Sequence, residues 1–274
     1  MLILLKIFYY EATLSYLVWK MTASLNIPLV RVNGITIPRA LLGTSPFIAA
    51  GQFGTRSLQY YYKFVINTKN IGEIVRYGIK KGLKGIQLLT YDFVAREVFE
   101  ACKELKADII IVPTYVPDEP NSLDWILRFK AELAILHASI SDRLSDELLG
   151  EHIDLLRAHG LEVGIATHTP YRTLNWLIHE SVNKDKVRFI LAPLNYAGLF
   201  IDTTLSNIEK LYRTAHEKGY KFIFKKVLGA GKLDIRKALK YVYSRPYTLS
   251  TAIGIASIEE FDYTFNIASE LIRE

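Results

Sequence analysis

The sequence predicts an α/β chain folded as a (β/α)8 barrel, with an N-terminal β-hairpin and an extra apolar N-terminal segment. Three observations predict it. Eight short apolar runs recur, most without polar alternation, as suits strands buried on both faces. Amphipathic segments with readable ends separate them. The count of eight points to a closed parallel barrel. An open doubly wound sheet is the alternative, but no Gly-x-Gly-x-x-Gly follows the first strand and no Gly-Lys-Ser/Thr phosphate loop occurs.

The elements follow in order. Residues 1–27 read as an N-terminal extension, peripheral to one barrel domain of residues 28–274. The extension opens apolar and aromatic, but Lys6 and Glu11 interrupt it. A membrane helix needs about 20 apolar residues, so no stable membrane insertion is expected. No secretory cleavage pattern is present, and Met21 begins a stretch that reads like an ordinary start. An amphipathic helix resting on a surface is the second reading of this segment. In "LVRVNGITIPRALL" (29–42), Asn33-Gly34 signals a two-residue hairpin. The barrel runs are then "LLGTSPFIAA", "GIQLLTY", "DIIIVPTY", "LAILH", "EVGIATH", "RFILAPLNY", "KFIFKKVLG" and "LSTAIGIAS". Among the helices, Ser145 is an N-cap with Gly160 just past the end, Thr169 precedes Pro170 at the first helical position, and Ser257 with Glu260 forms a capping box.

Composition bounds the function. Of 274 residues, 50% are hydrophobic and 23% charged, which excludes a disordered chain and supplies one large core. A single cysteine, Cys102, allows no internal disulfide and fits a reducing, cytoplasmic setting. Few Cys and Met beside abundant Ile, Tyr and Lys lean towards a thermophile. The net charge of +6 is spread over the helices rather than massed. Only "QYYYKF" (59–64) sets aromatics beside a lysine as a nucleic-acid stripe would, and it reads better as a packing loop. No nucleic-acid partner is expected. The expected partner is a small molecule at the C-terminal barrel mouth, where such barrels carry their sites; the sequence does not specify an oligomeric state.

Two histidines, His137 and His168, close the fourth and fifth runs, whereas His152, His159, His179 and His216 fall on helices. The seventh run ends in "KKVLGAGK". Side chains alternate along a strand, so only one of Lys225 and Lys226 is expected to face the axis. Gly229 and Gly231 permit close backbone approach, and the helix starting at Ser257 offers a phosphate-binding N-terminus.

Taken together, "LAILH", "VGIATHTPYRTL", "FKKVLGAGKL", "AIGIASIEEFDYTFNIA" and the Asn33-Gly34 hairpin resemble, in order and spacing, the aldo-keto reductases, over about Leu29 to Ile272. The resemblance implies reversible carbonyl reduction by NAD(P)H without a metal. It implies a tyrosine acid tuned by an aspartate and a lysine, with a histidine orienting the carbonyl. Only His137 matches cleanly. Gln87 stands where the family has its aspartate, Pro113 or Thr114 where it has its lysine, and Tyr91 lies one position from the family tyrosine. Lys226, or Lys225, would have to supply the positive charge from another strand. Tyr60 to Tyr62 are the next candidate acids. For the cofactor, the resemblance implies Thr167 and His168 at the nicotinamide carboxamide and Lys225 where an aromatic stacks, with Asn195, Leu228, Gly229, Gly231 and Ser257 as further cofactor-binding positions. Pro193 replaces a common glutamine. Glu260 stands where a basic residue often meets a 2′-phosphate, which argues against NADP and leaves NAD, another phosphate ligand, or nothing. Two other readings stay open. One is a non-redox ligand-binding barrel or pseudo-enzyme. The other is a metal hydrolase built on His137, His168 and Asp92 or Asp142, disfavoured by the missing first-strand His-x-His.

Overall fold

The computed structural model describes residues 24–273; the expectations for the first 23 residues lie outside them. Strands β1 (Leu29–Val32) and β2 (Ile35–Pro38) pair antiparallel across a two-residue turn. Asn33 and Gly34 both have positive φ, 51° and 81°, which is what a tight turn matched to strand twist requires.

Eight parallel strands then close a barrel: β3 (Ala40–Gly43), β4 (Gly85–Leu89), β5 (Ile110–Tyr115), β6 (Leu133–Leu136), β7 (Glu162–Ala166), β8 (Phe189–Pro193), β9 (Lys221–Lys225) and β10 (Thr248–Gly254). Neighbours in sequence are neighbours in space, and β10 pairs with β3 to complete the ring. Among the described residues, no helix is long and apolar enough to cross a membrane.

The helices are α1 (Arg56–Tyr60), running on as a wider π turn to Ile66, then α2 (Lys69–Lys80), α3 (Asp92–Glu104), α4 (Ser122–Arg128), α5 (Ala138–Ser141), α6 (Asp146–Ala158), α7 (Pro170–His179), α8 (Leu205–Glu217), α9 (Ile235–Tyr243) and α10 (Ile258–Leu271). The "YYY" stretch is the joint between α1 and the π turn, with Tyr61 and Tyr62 exposed.

Two cores explain the unbroken apolar runs. One face of each strand packs under the helices, through residues such as Ile86, Leu136, Ile165, Phe222 and Phe224. The other face fills the barrel interior, through Leu41, Val112, Ile135, Phe189, Leu191 and Ile223, with Val32 and Ile35 of the hairpin packed against it. The hairpin therefore plugs the bottom. Gly164 is required here: a Cβ would lie 2.5 Å from Ile135 Cδ1 and 2.6 Å from the Phe189 carbonyl oxygen.

Several boundaries differ from expectation. The first barrel strand stops at Gly43, and Ser45–Ile48 forms a 3₁₀ turn; Pro46 has no N–H for a ladder. The seventh strand ends at Lys225, before the "VLGAGK" turn. Ser145 caps α6 by accepting from Leu148 N–H. Thr169, by contrast, makes no capping bond. The Asp202 carboxylate does so from outside the helix, accepting from Tyr171 and Arg172 N–H at 2.8 and 2.9 Å. Asp202→Ala is therefore expected to cost about 1–2 kcal/mol, the usual worth of a lost N-cap. A shift in urea midpoint at constant m-value measures it, and an unchanged midpoint would contradict this assignment.

Candidate functional site

The alternation that fills the interior with apolar side chains continues upward. One step above the last apolar layer it aims Gln87, Thr114, His137, His168 and Lys225 at the axis. They line a cavity of about 250 Å³ together with Lys226, Ser45, Gln52, the apolar Ile48, Leu89 and Leu191, and a few small residues. Among the described residues that line it, none is acidic and none is a tyrosine.

Lys226 corrects the expectation that only one of the two lysines could reach the axis. Its φ is +56°, so the backbone turns left-handed just past the strand and strict alternation ends there. The Lys225 and Lys226 Nζ atoms lie 3.3 and 3.2 Å from the same atom, His168 Nδ1. Lys226 Nζ also sits 4.9 Å from the centre of the Phe200 ring, on its face. Burial, then the charge of Lys226, lowers the Lys225 ammonium to about 7. Burial lowers Lys226 to about 8, with Asp142 opposing. Burial and both lysines hold His168 far below an ordinary imidazole, so it is neutral and accepts at Nδ1.

His137 is 6.4 Å from His168 between ring centres. It caps α5: its Nδ1 accepts from Ser139 N–H at 3.2 Å and lies 2.9 Å from the Ser139 hydroxyl. Burial, then Lys225, keeps it below its ordinary value. The neutral ring then carries its proton on Nε2, as a donor. Gln87 Nε2 donates to Thr114 Oγ1 at 2.9 Å, and both side chains are buried. Where the resemblance implies an aspartate–lysine pair, this chain has a neutral amide–hydroxyl pair. The Thr114 hydroxyl, accepting from Gln87, keeps its own proton to donate.

Asp142 is the nearby counter-charge, but it does not line the cavity. Its carboxylate accepts from Thr167 Oγ1 (2.6 Å), Thr173 Oγ1 (2.8 Å) and His168 N–H (2.8 Å), tying the end of β7 to α5. Tyr91 is not brought to the cavity. It packs near Phe93, and burial with the Glu119 and Asp118 charges pushes its phenol above the ordinary value.

A second chamber of about 190 Å³ adjoins, sharing Ser45, Gln52, Gln87, Lys225 and Lys226 with the first. Leu228, Gly231, Tyr60, Arg56 and Glu260 also line it. Of the side chains the resemblance assigns to the cofactor, His168 and Lys225 line the first cavity, while Thr167 and Asn195 are already committed elsewhere. Thr167 is fully buried and already bonded to Asp142, and Asn195 is fully buried and spends its amide on the Leu199 and Lys226 backbone. At the far end Ser257 accepts from Glu260 N–H, and the Glu260 carboxylate accepts from Ala256 N–H. The capping box thus occupies the helix N-terminus on which a phosphate would sit. Space for a Cβ at Gly231 is taken by the Arg56 guanidinium, which donates to the Ala230 carbonyl; at Gly229 it is taken by Leu233 and Leu199.

Among the described residues, no three His, Cys, Asp or Glu side chains converge as metal ligands. Asp92 is bound to Trp125, Asn121 and Arg96. The residues that sequence reasoning missed are Ser45 and Gln52, loop residues with no local signature, and Ser139, which sets the His137 tautomer.

No protein-family model matches the sequence, and no curated protein matches it. Two solved structures from Pseudomonas aeruginosa, each provisionally assigned as an aldo-keto reductase, are similar in fold. One superposes with a TM-score of 0.63 over 91% of this chain and 98% of the other, at 12% identity. The second gives 0.62 over 91% and 97%, again at 12% identity. The chain has the same (β/α)8 barrel fold as these two proteins, which are provisionally assigned to the aldo-keto reductases.

Proposed function

We propose that the chain is a non-redox barrel that binds a small carboxylate bearing a carbonyl, a 2-oxo acid, at its C-terminal mouth. One observation carries this reading: among the described residues, the cavity is lined by two lysines and two histidines, with no carboxylate. At neutral pH Lys226, at about 8, keeps its proton. A charge pair about 4 Å apart near a protein surface attracts by about 4 kcal/mol before desolvation is counted. His137 Nε2 and the Thr114 hydroxyl supply neutral donors, the groups a carbonyl oxygen takes.

Hydride transfer finds less support. Among the described residues no tyrosine lines the first cavity, Tyr60 lines only the adjoining chamber, and the Gln87–Thr114 pair carries no charge with which to tune a phenol. The alternative, an NAD-linked carbonyl reductase, rests on the shared fold and on the chamber running towards α10. A nicotinamide-fluorescence titration with NADH and NADPH separates the two readings.

Calorimetric titration with 2-oxobutanoate at pH 6.5 and low salt tests the binding reading. Submillimolar affinity is expected, at least about tenfold weaker in Lys226→Met, a loss of about 1.4 kcal/mol. Affinity should also fall towards pH 9.5, as both lysines lose their protons. No binding, or binding indifferent to Lys226, would overturn the reading.

A further inference from the structure

The cavity contains more positive groups than are needed to hold one carboxylate. Lys225 and Lys226 converge on one imidazole nitrogen, and Nδ1 has a single lone pair for two donors. The two lysines are also unlike. Lys226 has a second partner in the Phe200 ring, which favours its charged form. Lys225 projects from the end of a strand, among the axis-facing side chains; among the described residues no carboxylate lines the first cavity with it, and Glu260 lines only the adjoining chamber.

We propose that Lys225 is a covalent amine, forming an imine with the carbonyl carbon of the oxo acid that Lys226 helps to hold. The inference rests on the binding reading above and adds a reaction to it. An amine attacks carbonyls only when unprotonated, and enzymes obtain that form by desolvation beside a second cation. Lys225 meets both conditions, and its ammonium, at about 7, leaves a large neutral fraction at neutral pH.

The step balances without another reagent. The Lys225 Nζ lone pair forms a bond to the carbonyl carbon, and the C=O π pair moves to oxygen. That oxygen takes a proton from His137 Nε2 or the Lys226 ammonium, and the new N–H₂⁺ gives a proton back, leaving a neutral carbinolamine. Protonation of its hydroxyl lets water leave, and the nitrogen lone pair forms the C=N bond. The overall change is amine plus ketone plus one proton giving protonated imine plus water. Nothing is oxidised or reduced.

The test uses the full chain with 2-oxobutanoate and borohydride at pH 7.5, followed by peptide mass spectrometry. Hydride from borohydride reduces the imine to a secondary amine, adding the mass of the oxo acid less one oxygen. The expected result is an adduct on Lys225 at least about tenfold above the average surface lysine, and its disappearance in Lys225→Met with no transfer to Lys226. Calorimetry on the same samples separates the two ideas. Binding without an adduct overturns the imine and leaves the binding reading standing. Absence of both overturns both. An adduct on Lys226, or spread evenly over surface lysines, overturns the assignment to Lys225.

Discussion

Lys225→Met is expected to make the protein more stable at pH 6, by roughly 2–3 kcal/mol. Folding carries the ammonium from water into a recess beside Lys226, lowering it from the ordinary 10.5 to about 7. At about 1.4 kcal/mol per tenfold change in proton affinity, and discounted for the side chain's partial exposure, that shift gives the figure. The sign follows from proton counts. Below pH 7 both folded and unfolded states bind the proton, and the folded state bears the full cost. Between pH 7 and 10.5 the unfolded state holds more protons, so stability rises with pH and the cost disappears. Lys226, lowered to about 8, adds to the same slope from about pH 8 upward. His168 and His137, both lowered, extend it below pH 6.5, where the unfolded state protonates first. Above about pH 9.5 the trend reverses, because Tyr212, Tyr243 and Tyr247 are held above their ordinary value and the unfolded chain ionises first. Urea midpoints across pH 5–9.5 check this. The wild type should climb steadily and Lys225→Met should climb less from a higher start; a flat wild-type profile would contradict the buried-cation account.

Phe222→Ala should cost about 3–5 kcal/mol. Phe222 is fully buried and stacks on Phe224, with ring centres 5.4 Å apart and planes within 4°. Tyr212 and Tyr247 close around the pair, and Tyr212 donates from its hydroxyl to the Pro193 carbonyl. The cluster welds α8 to the outer face of β9, the strand that ends in Lys225. Truncation opens a cavity among rings that cannot collapse into it. The loss should appear in denaturant midpoint. Because Lys225 leans on this strand, ligand affinity should fall as well; unchanged stability would contradict the packing account.

The fold was legible because its signals are local and repeated. Asn33-Gly34 specifies the hairpin through two positive φ angles, and apolar runs buried on both faces announce parallel strands. Ser145, Ser257 and Glu260 cap where sequence spacing said they would. The site was legible only in part. His137, His168 and Lys225 share the axis-facing parity of their strands, so their convergence follows from counting. Lys226 does not, because its left-handed backbone has no sequence signal in a lysine. Thr167 and Asn195 occupy motif-like positions yet spend their polar atoms on Asp142 and on backbone 4 and 31 residues away, a commitment visible only in three dimensions. Asp202 likewise caps a helix from 31 residues away.

The central claim is that the barrel mouth is a cationic carboxylate site organised around one imidazole. A crystal structure grown with saturating 2-oxobutanoate tests it most directly. The account predicts carboxylate density about 3 Å from Lys226 Nζ, with the carbonyl end turned towards His137 and Lys225. A mouth holding only water under those conditions, or a parallel crystal with NADH seating its nicotinamide ring over His137, would contradict it.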